Sequence, residues 1–378
     1  MTLSILWLIL IAVLWIGYLT LEGFDFGVGM LLKILGHDER ERRAMMQAIG
    51  PHWDGNEVWL LTAGGATFAA FPEWYGTLFS GAYIALFVIL LCLIVRVCAI
   101  EWRSKINTQA WRDGWDWAHT ICAWLPSILW GVAFANMVQG MKIQVVMTKT
   151  GEVVPASEVP HDTLMAGAAN QLTGGFWSLL TPFTILGGLV TCTLFLTHGA
   201  LFIALRTEGE LHERALSMGR TLGIISTVIT AVWAVWAQVA YSVNPGVSWI
   251  PLAIAALCLI GSLLMTFARR EGLAFGLSFG GIAFAVIFIF SSMAPNVMRS
   301  SINDAYSLTY EQAASTDTTL LIMTIAAVIF VPIVLLYTIW GYRVFAYRIN
   351  PTKINPNEGG LHPSKVRDSS QPEAAIGY

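Results

Sequence analysis

Carboxylates interrupt the apolar stretches near the start of this chain, and no other feature constrains its fold as strongly. The first stretch ends in Leu21-Glu22-Gly23-Phe24-Asp25-Phe26-Gly27, and Pro51-His52-Trp53-Asp54-Gly55-Asn56-Glu57-Val58-Trp59 leads directly into the second. Ionisable groups inside a membrane are costly, so they usually face the interior of a helix bundle and mark a path for protons or ions. We therefore expect these carboxylates to carry the function.

The composition is that of a membrane protein. Of the 378 residues 56% are hydrophobic and only 12% are charged, whereas about a quarter of a soluble domain is charged. A net charge of −3 argues against a nucleic-acid partner. We predict an all-α polytopic membrane protein, because apolar stretches of about twenty residues can cross the hydrocarbon core. About nine transmembrane helices are expected, at roughly 3–32, 55–72, 74–99, 115–139, 177–205, 219–242, 248–268, 272–293 and 319–346.

The basic residues predict the orientation of these helices. Eighteen of the 21 lysines and arginines fall on one side of the predicted topology, and only Lys142, Lys149 and Arg299 fall on the other. Basic loops stay in the cytoplasm, so the N-terminus is expected outside and the C-terminus in the cytoplasm. We divide the chain into helices one to four (1–140), an extracytoplasmic loop (141–176), helices five to eight (177–293), an outer connection with helix nine (294–350) and a cytoplasmic tail (351–378). The tail is rich in Pro, Gly, Ser and charge, which predicts disorder.

The acidic residues are expected to meet at the cytoplasmic face. Glu22 and Asp25 have i,i+3 spacing and share one helical face, and Asp54 and Glu57 repeat that spacing. Desolvation and mutual repulsion would suit such carboxyl groups to pass protons inward. The alternative is structural, in salt bridges with Arg96, Arg103 or Arg112 or in helix caps. For Asp116 and Glu101 we favour this structural role. For Asp25 and Asp54 the structural role and proton conduction are equally favoured.

Other chemistry is less well supported by the sequence. His119 and His198 are the only deep histidines, and we interpret both as core residues with satisfied hydrogen bonds rather than haem ligands. His52, beside Asp54, is interpreted as part of a polar entry, to which Asp116 is a second candidate. The five cysteines form no CxxC pair, so no metal site is predicted. We find no nucleotide-binding loop or nucleophile motif and predict no catalytic residue in this chain.

The motifs around these acids closely resemble subunit II of the cytochrome bd quinol oxidases, from about residue 5 to residue 350. The segment 51–59 is the most specific of them. The others are Glu22-Gly23-Phe24-Asp25-Phe26-Gly27-Val28-Gly29, Glu41-Arg42-Arg43, Arg103-Ser104-Lys105, Trp115-Asp116-Trp117, Gly131-Val132-Ala133-Phe134 and Ser307-Leu308-Thr309.

The resemblance implies a heterodimer in the bacterial cytoplasmic membrane. Subunit I would hold two b-type haems, one d-type haem and the quinol site, and oxygen would be reduced to water with protons drawn from the cytoplasm. Subunit II would have two four-helix bundles and one peripheral helix, and would bind no cofactor alone. The resemblance leaves open a small single-span accessory subunit and a structural quinone or lipid.

The resemblance also assigns roles to individual residues. It places Asp25, Asp54 and Glu101 on an acidic proton route, with Glu22 where some members have aspartate. Trp59 falls in a region through which oxygen passes in some members. Two other functions remain as alternatives. A proton-coupled secondary transporter would need a substrate site near the midplane, and a haem-bearing electron carrier would need His119 and His198 as ligands.

Overall fold

The computed structural model describes residues 2–159, 167–356 and 360–361, and most of these residues are helical. The helices are α1 (Leu3–Leu35), α2 (Glu39–Ile49), α3 (Trp53–Ala70), α4 (Pro72–Gly81), α5 (Tyr83–Trp102), α6 (Gln109–Gln139), α7 (Pro182–Arg206), α8 (Gly209–Tyr241), α9 (Pro245–Phe267), α10 (Glu271–Met293), α11 (Tyr310–Ala313) and α12 (Asp317–Val344). The strands are β1 (Ile143–Met147), β2 (Ala168–Leu172), β3 (Asn296–Met298) and β4 (Leu308–Thr309).

Eight of the helices in the described ranges are long and apolar enough to cross a membrane: α1, α5 to α10 and α12. The all-α polytopic fold is therefore confirmed. The predicted second span corresponds to α3, an 18-residue helix whose polar first turns lower its hydropathy. The predicted third span is interrupted at Ala82, which separates α4 from α5. Backbone hydrogen bonds continue on both sides of Ala82, from its N–H to Leu78 and from the N–H of Leu86 to its carbonyl.

The long helices pack as two groups of four and one outlying helix. In the second group α7 to α10 form a closed ring in which each helix contacts the next and α10 returns to α7. In the first group α1 contacts α3 and α6, and α6 contacts α5. Helix α1 also contacts α7 and α10, so it joins the two groups. Helix α12 lies outside both groups against α1 and α3, and Leu320 is its one buried residue.

Glycines allow the closest approach between the two groups. A Cβ atom on Gly27 of α1 would lie 2.8 Å from Cα of Gly199 of α7 and closer still to the carbonyl oxygen of Phe195. Without side chains the backbones can touch, and such contacts hold membrane helices together where burial from water offers no gain. The same device brings Gly131 of α6 against Gly188 of α7.

The two ends of the bundle differ in structure, and we name them accordingly. The strand end carries β1 paired antiparallel with β2, and β3 paired antiparallel with β4. The strands β1 and β2 lie within 141–176, the segment that the sequence predicted as an extracytoplasmic loop. Three residues of β1 are buried, Ile143, Val145 and Val146. Val145 packs with Val154 and with Tyr306, which lies far along the chain. Residues 160–166 lie outside the described ranges.

The opposite end, which we call the basic end, contains α2 and the ends of α1, α5 and α7, with the starts of α3, α6, α8 and α10. Its placement on the cytoplasmic side stays a prediction, as does the division of the chain at residues 140, 176, 293 and 350. Most of the tail predicted to be disordered lies outside the described residues. The part that is described begins with a short 3₁₀ turn at Pro351–Lys353.

Candidate functional site

A buried group of ionisable side chains lies where α1, α3 and α5 meet, in the half of the bundle nearer the basic end. It consists of Glu22 and Asp25 from α1, Glu57 from α3 and Arg96 from α5. We call these four residues the carboxyl cluster. Glu22, Asp25 and Arg96 are completely buried, and the Glu57 side chain is 19% exposed. Two of the three chain segments that form it were recognised from the i,i+3 acid pairs in the sequence.

Arg96 is the centre of this cluster. Its Nη1 donates to Oε1 of Glu22 and, over 3.0 Å, to Oε1 of Glu57. The guanidinium also lies 4.7 Å from the ring centroid of Phe26, a cation–π contact that gains strength away from water. One arginine therefore ties the acid of α1 to the acid of α3.

Asp25 continues the polar contacts toward α12. Its Oδ2 accepts a hydrogen bond of 2.7 Å from Nδ2 of Asn56, and Oδ1 of Asn56 accepts one of 2.7 Å from the hydroxyl of Tyr342. The Tyr342 ring in turn stacks on His52 with 4.1 Å between ring centroids. The chain of contacts therefore runs from the cluster to the start of α3 at the basic end.

The charges of the cluster do not balance. Three carboxyl groups share one guanidinium, and a buried carboxylate without a partner is strongly unfavourable. Oε2 of Glu22, Oδ1 of Asp25, and Nε and Nη2 of Arg96 are buried and have no hydrogen-bond partner among the described residues. Buried polar atoms normally bond to protein or to ordered water. The cluster therefore has the capacity to hold protons and to bond water.

A second ionic network closes the basic end. Arg103 donates to Oδ1 of Asp116 over 2.5 Å and forms a fork with Glu39, with bonds of 3.0 and 2.8 Å. Burial raises the pKa of Glu39, but the hydrogen bond and charge of Arg103, with Arg112, outweigh this effect and lower it overall. Asp116, interpreted from the sequence as part of a polar entry or as a structural residue, is completely buried in this network.

The remaining predicted site residues belong to neither the carboxyl cluster nor the network around Arg103. Asp54 and Glu101 are exposed on the surface of the chain. Asp54 does not cap α3, since His52 occupies the N-cap position and makes no side-chain capping bond. Burial, with the charge of Arg206, lowers the pKa of His52 to about 4, so its ring is neutral at pH 7. Trp59 is half-buried, with its ring against Gly17.

The two deep histidines differ in their hydrogen bonding. His198 is satisfied as expected, with Nδ1 3.0 Å from Oγ of Ser278, Nε2 3.2 Å from the carbonyl oxygen of Thr20, and its ring stacked on Phe275. The same expectation was wrong for His119, whose two ring nitrogens are buried without a hydrogen-bond partner among the described residues. Both histidines fit poorly as haem ligands. The nitrogens of His198 are occupied, and the edge of His119 lies against the backbone of Gly29. Within the described ranges no three His, Cys, Asp or Glu side chains are arranged so that they could hold a metal ion.

Sequence reasoning missed the central role of Arg96 and the contributions of Asn56 and Tyr342. Arg96 was considered only as one of three salt-bridge partners. Its position inside the apolar run Cys92-Leu93-Ile94-Val95-Arg96-Val97-Cys98 is itself a signal, because an arginine within a span needs a buried counter-charge. Tyr342 left no such signal, since tyrosines are common near the ends of membrane helices.

Comparisons with known proteins agree on the family. A family model described as cytochrome bd terminal oxidase subunit II matches residues 3–345. The chain is 39% identical over 340 residues to cytochrome bd ubiquinol oxidase subunit 2 of Bacillus subtilis (strain 168), covering 89% of this chain and 93% of that protein. It is 36% identical over 370 residues to cytochrome bd-I ubiquinol oxidase subunit 2 of Escherichia coli (strain K12), with the same coverage.

The fold agrees as well. The bd oxidase structure from Geobacillus thermodenitrificans matches with a TM-score of 0.73 at 16% identity, covering 91% of this chain and 99% of that one. At that identity the match shows the fold alone, but the family match and the relatives carry the assignment. This chain belongs to the family of cytochrome bd terminal oxidase subunit II, as a multi-pass bacterial membrane protein of a respiratory oxidase complex that includes a subunit I.

Proposed function

We propose that this chain is the non-haem subunit of a quinol:oxygen oxidoreductase and delivers protons from the cytoplasm toward the haem-bearing subunit I. Quinol would be oxidised and oxygen reduced to water in subunit I, which would hold two b-type haems and one d-type haem. When bound there, the haems supply the electron transfer and the oxygen chemistry. This chain would contribute no catalytic residue. Its family membership favours the oxidase subunit over a proton-coupled transporter.

The carboxyl cluster is the observation that carries the proposal. Reduction of oxygen to water consumes one proton for each electron, and these protons need a path through the apolar part of the membrane. A carboxyl group that takes up a proton loses its charge and can release the proton to the next acceptor. Because one guanidinium faces three carboxyl groups, protons can be held there at low cost. If the basic end faces the cytoplasm, uptake from that side separates charge across the membrane without a pump.

The exposed face of α3 is proposed as the surface that meets subunit I. Asp54, Val58, Leu61, Gly65 and Phe68 are exposed and follow the i, i+4, i+7, i+11, i+14 spacing of one helical stripe. A carboxylate on such a stripe would be unfavourable against lipid, which favours a protein partner. Asp54 would then lie at the subunit interface, one turn from Glu57, and would lead protons into the cluster. Glu101, on the surface near the basic end, would serve proton entry.

An apolar cavity supports a structural quinone or lipid in this chain. It has a volume of about 290 Å³ and lies between α6 and the ring α7 to α10, with Trp249 and Ile260 near its lipid-facing side. Nε1 of Trp233 and Oγ1 of Thr230 line it and have no hydrogen-bond partner among the described residues. An apolar molecule with a carbonyl oxygen at one end would satisfy both.

Asp25→Asn in the complete oxidase tests the proposal. The amide oxygen of the new asparagine can still accept the bond from Asn56, so the fold is retained while the proton-binding group is lost. Quinol-driven oxygen consumption should fall roughly tenfold or more with haem content and assembly unchanged. Asp317→Asn is the matched control, because Asp317 is exposed at the strand end and its variant should match the wild type. Normal turnover of a fully assembled Asp25→Asn oxidase would refute the proton path.

A further inference from the structure

His119 of α6 is a buried polar residue that neither ionic network uses. It is 1% exposed, and neither ring nitrogen has a hydrogen-bond partner among the described residues. The next residue, Thr120, also has a buried hydroxyl without such a partner. Leaving a buried polar group without a hydrogen bond costs more than an ordinary hydrogen bond contributes, so an unpartnered imidazole in a bundle core indicates a role beyond packing.

The position of His119 connects the two networks. On α6 it lies one turn from Asp116, toward the strand end, and Asp116 is bonded to Arg103. Against α1 it faces Gly29, where a Cβ atom would lie 2.9 Å from Nε2 of the histidine. Gly29 follows Asp25 by one helical turn, about 6 Å along the axis. The order in depth from the basic end is therefore Asp116, then His119, then Asp25.

The lack of a side chain at Gly29 allows the imidazole of His119 to approach α1 closely. Any side chain there would occupy the space in front of the imidazole and would also press on Ala123, whose Cβ would lie 2.8 Å away. Gly29 and Asp25 lie about 6 Å apart along the axis of α1, and a bridging water would carry a proton over such a separation. On the side of Asp25, Oδ1 is buried and has no partner among the described residues.

From these contacts we propose that His119 relays protons between the network at the basic end and the carboxyl cluster, a role that rests on the proposed proton path. A neutral imidazole carries one N–H and one lone pair. It accepts a proton on one nitrogen from the Asp116 side and releases the proton of the other nitrogen toward Asp25. A flip of the imidazole ring then restores the original arrangement of N–H and lone pair. One proton passes in each cycle. An O–H bond of the donor water or carboxyl group breaks as one N–H bond forms, and the other N–H bond breaks as an O–H bond forms on the acceptor, so no electrons are transferred.

The test compares apolar and polar replacements in the complete oxidase. His119→Leu and His119→Met remove both hydrogen-bonding nitrogens, whereas His119→Gln keeps a donor and an acceptor on a side chain of similar reach. We expect oxygen consumption to fall roughly tenfold in the apolar variants and by much less in His119→Gln, with haem content unchanged. The solvent deuterium isotope effect on turnover should rise in the apolar variants, because proton transfer becomes limiting.

His198→Leu provides the control for removing a buried histidine, since His198 is fully hydrogen-bonded and should leave the isotope effect unchanged. The relay would be overturned if either apolar variant, His119→Leu or His119→Met, assembled fully and turned over at the wild-type rate. Equal losses in the glutamine and apolar variants, with an unchanged isotope effect, would also overturn it and indicate packing. If Asp25→Asn is slow while the apolar variants at position 119 are normal, the relay fails and the proton path stands. If Asp25→Asn is also normal, the proton path itself fails.

Discussion

Replacing Arg96 by leucine tests the ionic structure of the carboxyl cluster. Arg96 is completely buried and is the only cation bonded to Glu22 and Glu57 among the described residues. With an effective dielectric constant of about 20, a pair of charges about 4 Å apart interacts by about 4 kcal/mol. Removing one partner of a buried ion pair leaves the other charge uncompensated, and such changes cost about 3–5 kcal/mol. We expect the Arg96→Leu chain to lose about that much free energy of unfolding.

A double variant separates the ion pair from simple packing. In Arg96→Leu combined with Glu22→Leu both buried charges are gone, so the loss should be smaller than the sum of the two single losses, by about 2 kcal/mol or more. The free energies are measured by titrating the purified oxidase with a denaturing detergent and following tryptophan fluorescence. Arg343→Leu is the control, because Arg343 is exposed on α12 and its loss should stay within about 0.5 kcal/mol. Single losses that add within about 0.5 kcal/mol would refute the pairing.

Three further predictions concern other parts of the chain. Gly27→Ala should destabilise the protein by roughly 1–3 kcal/mol, because its Cβ cannot fit against Gly199, whereas Gly272→Ala, with open space around it, should be nearly neutral in the same unfolding titration. The lowered pKa of Glu39 means that its bond to Arg103 adds stability above the usual value of 4.5 and loses it as the pH falls through the folded value. The difference in stability between the wild type and Glu39→Gln should therefore disappear in acid, and a constant difference would contradict this. Asp54→Asn should slow oxygen reduction while assembly and haem content stay intact, and normal turnover of that variant would count against its place on the path.

Much of the fold follows from local patterns. Apolar stretches of span length predicted the long helices, and the i,i+3 acids of α1 predicted that Glu22 and Asp25 would be buried together. The same spacing was less informative in α3. Residues three apart differ by about 60° around a helix axis, so a helix at the edge of a bundle can bury one of them and expose the other. Glu57 reaches Arg96, while Asp54 points outward.

The features that could not be predicted depend on contacts between distant segments. Strand β1 pairs with β2 across the connection between them. Val145 of β1 also packs on Tyr306, more than a hundred residues away. The bond from Tyr342 to Asn56 joins α12 to α3. The unsatisfied state of His119 depends on which atoms surround it after the bundle has packed. Sequence patterns describe single helices well and say little about the rotation of one helix against another.

The most direct test of the account is proton uptake during a single turnover of the oxidase reconstituted in lipid vesicles. Reduced enzyme is mixed with oxygen, and a pH-sensitive dye in the compartment that faces the basic end reports the protons taken up. In the Glu22→Gln, Asp25→Asn double variant we expect proton uptake and the final step of oxygen reduction to slow together, with haem content unchanged. Wild-type uptake in the same compartment by an assembled double variant would contradict the claim that the carboxyl cluster carries the protons.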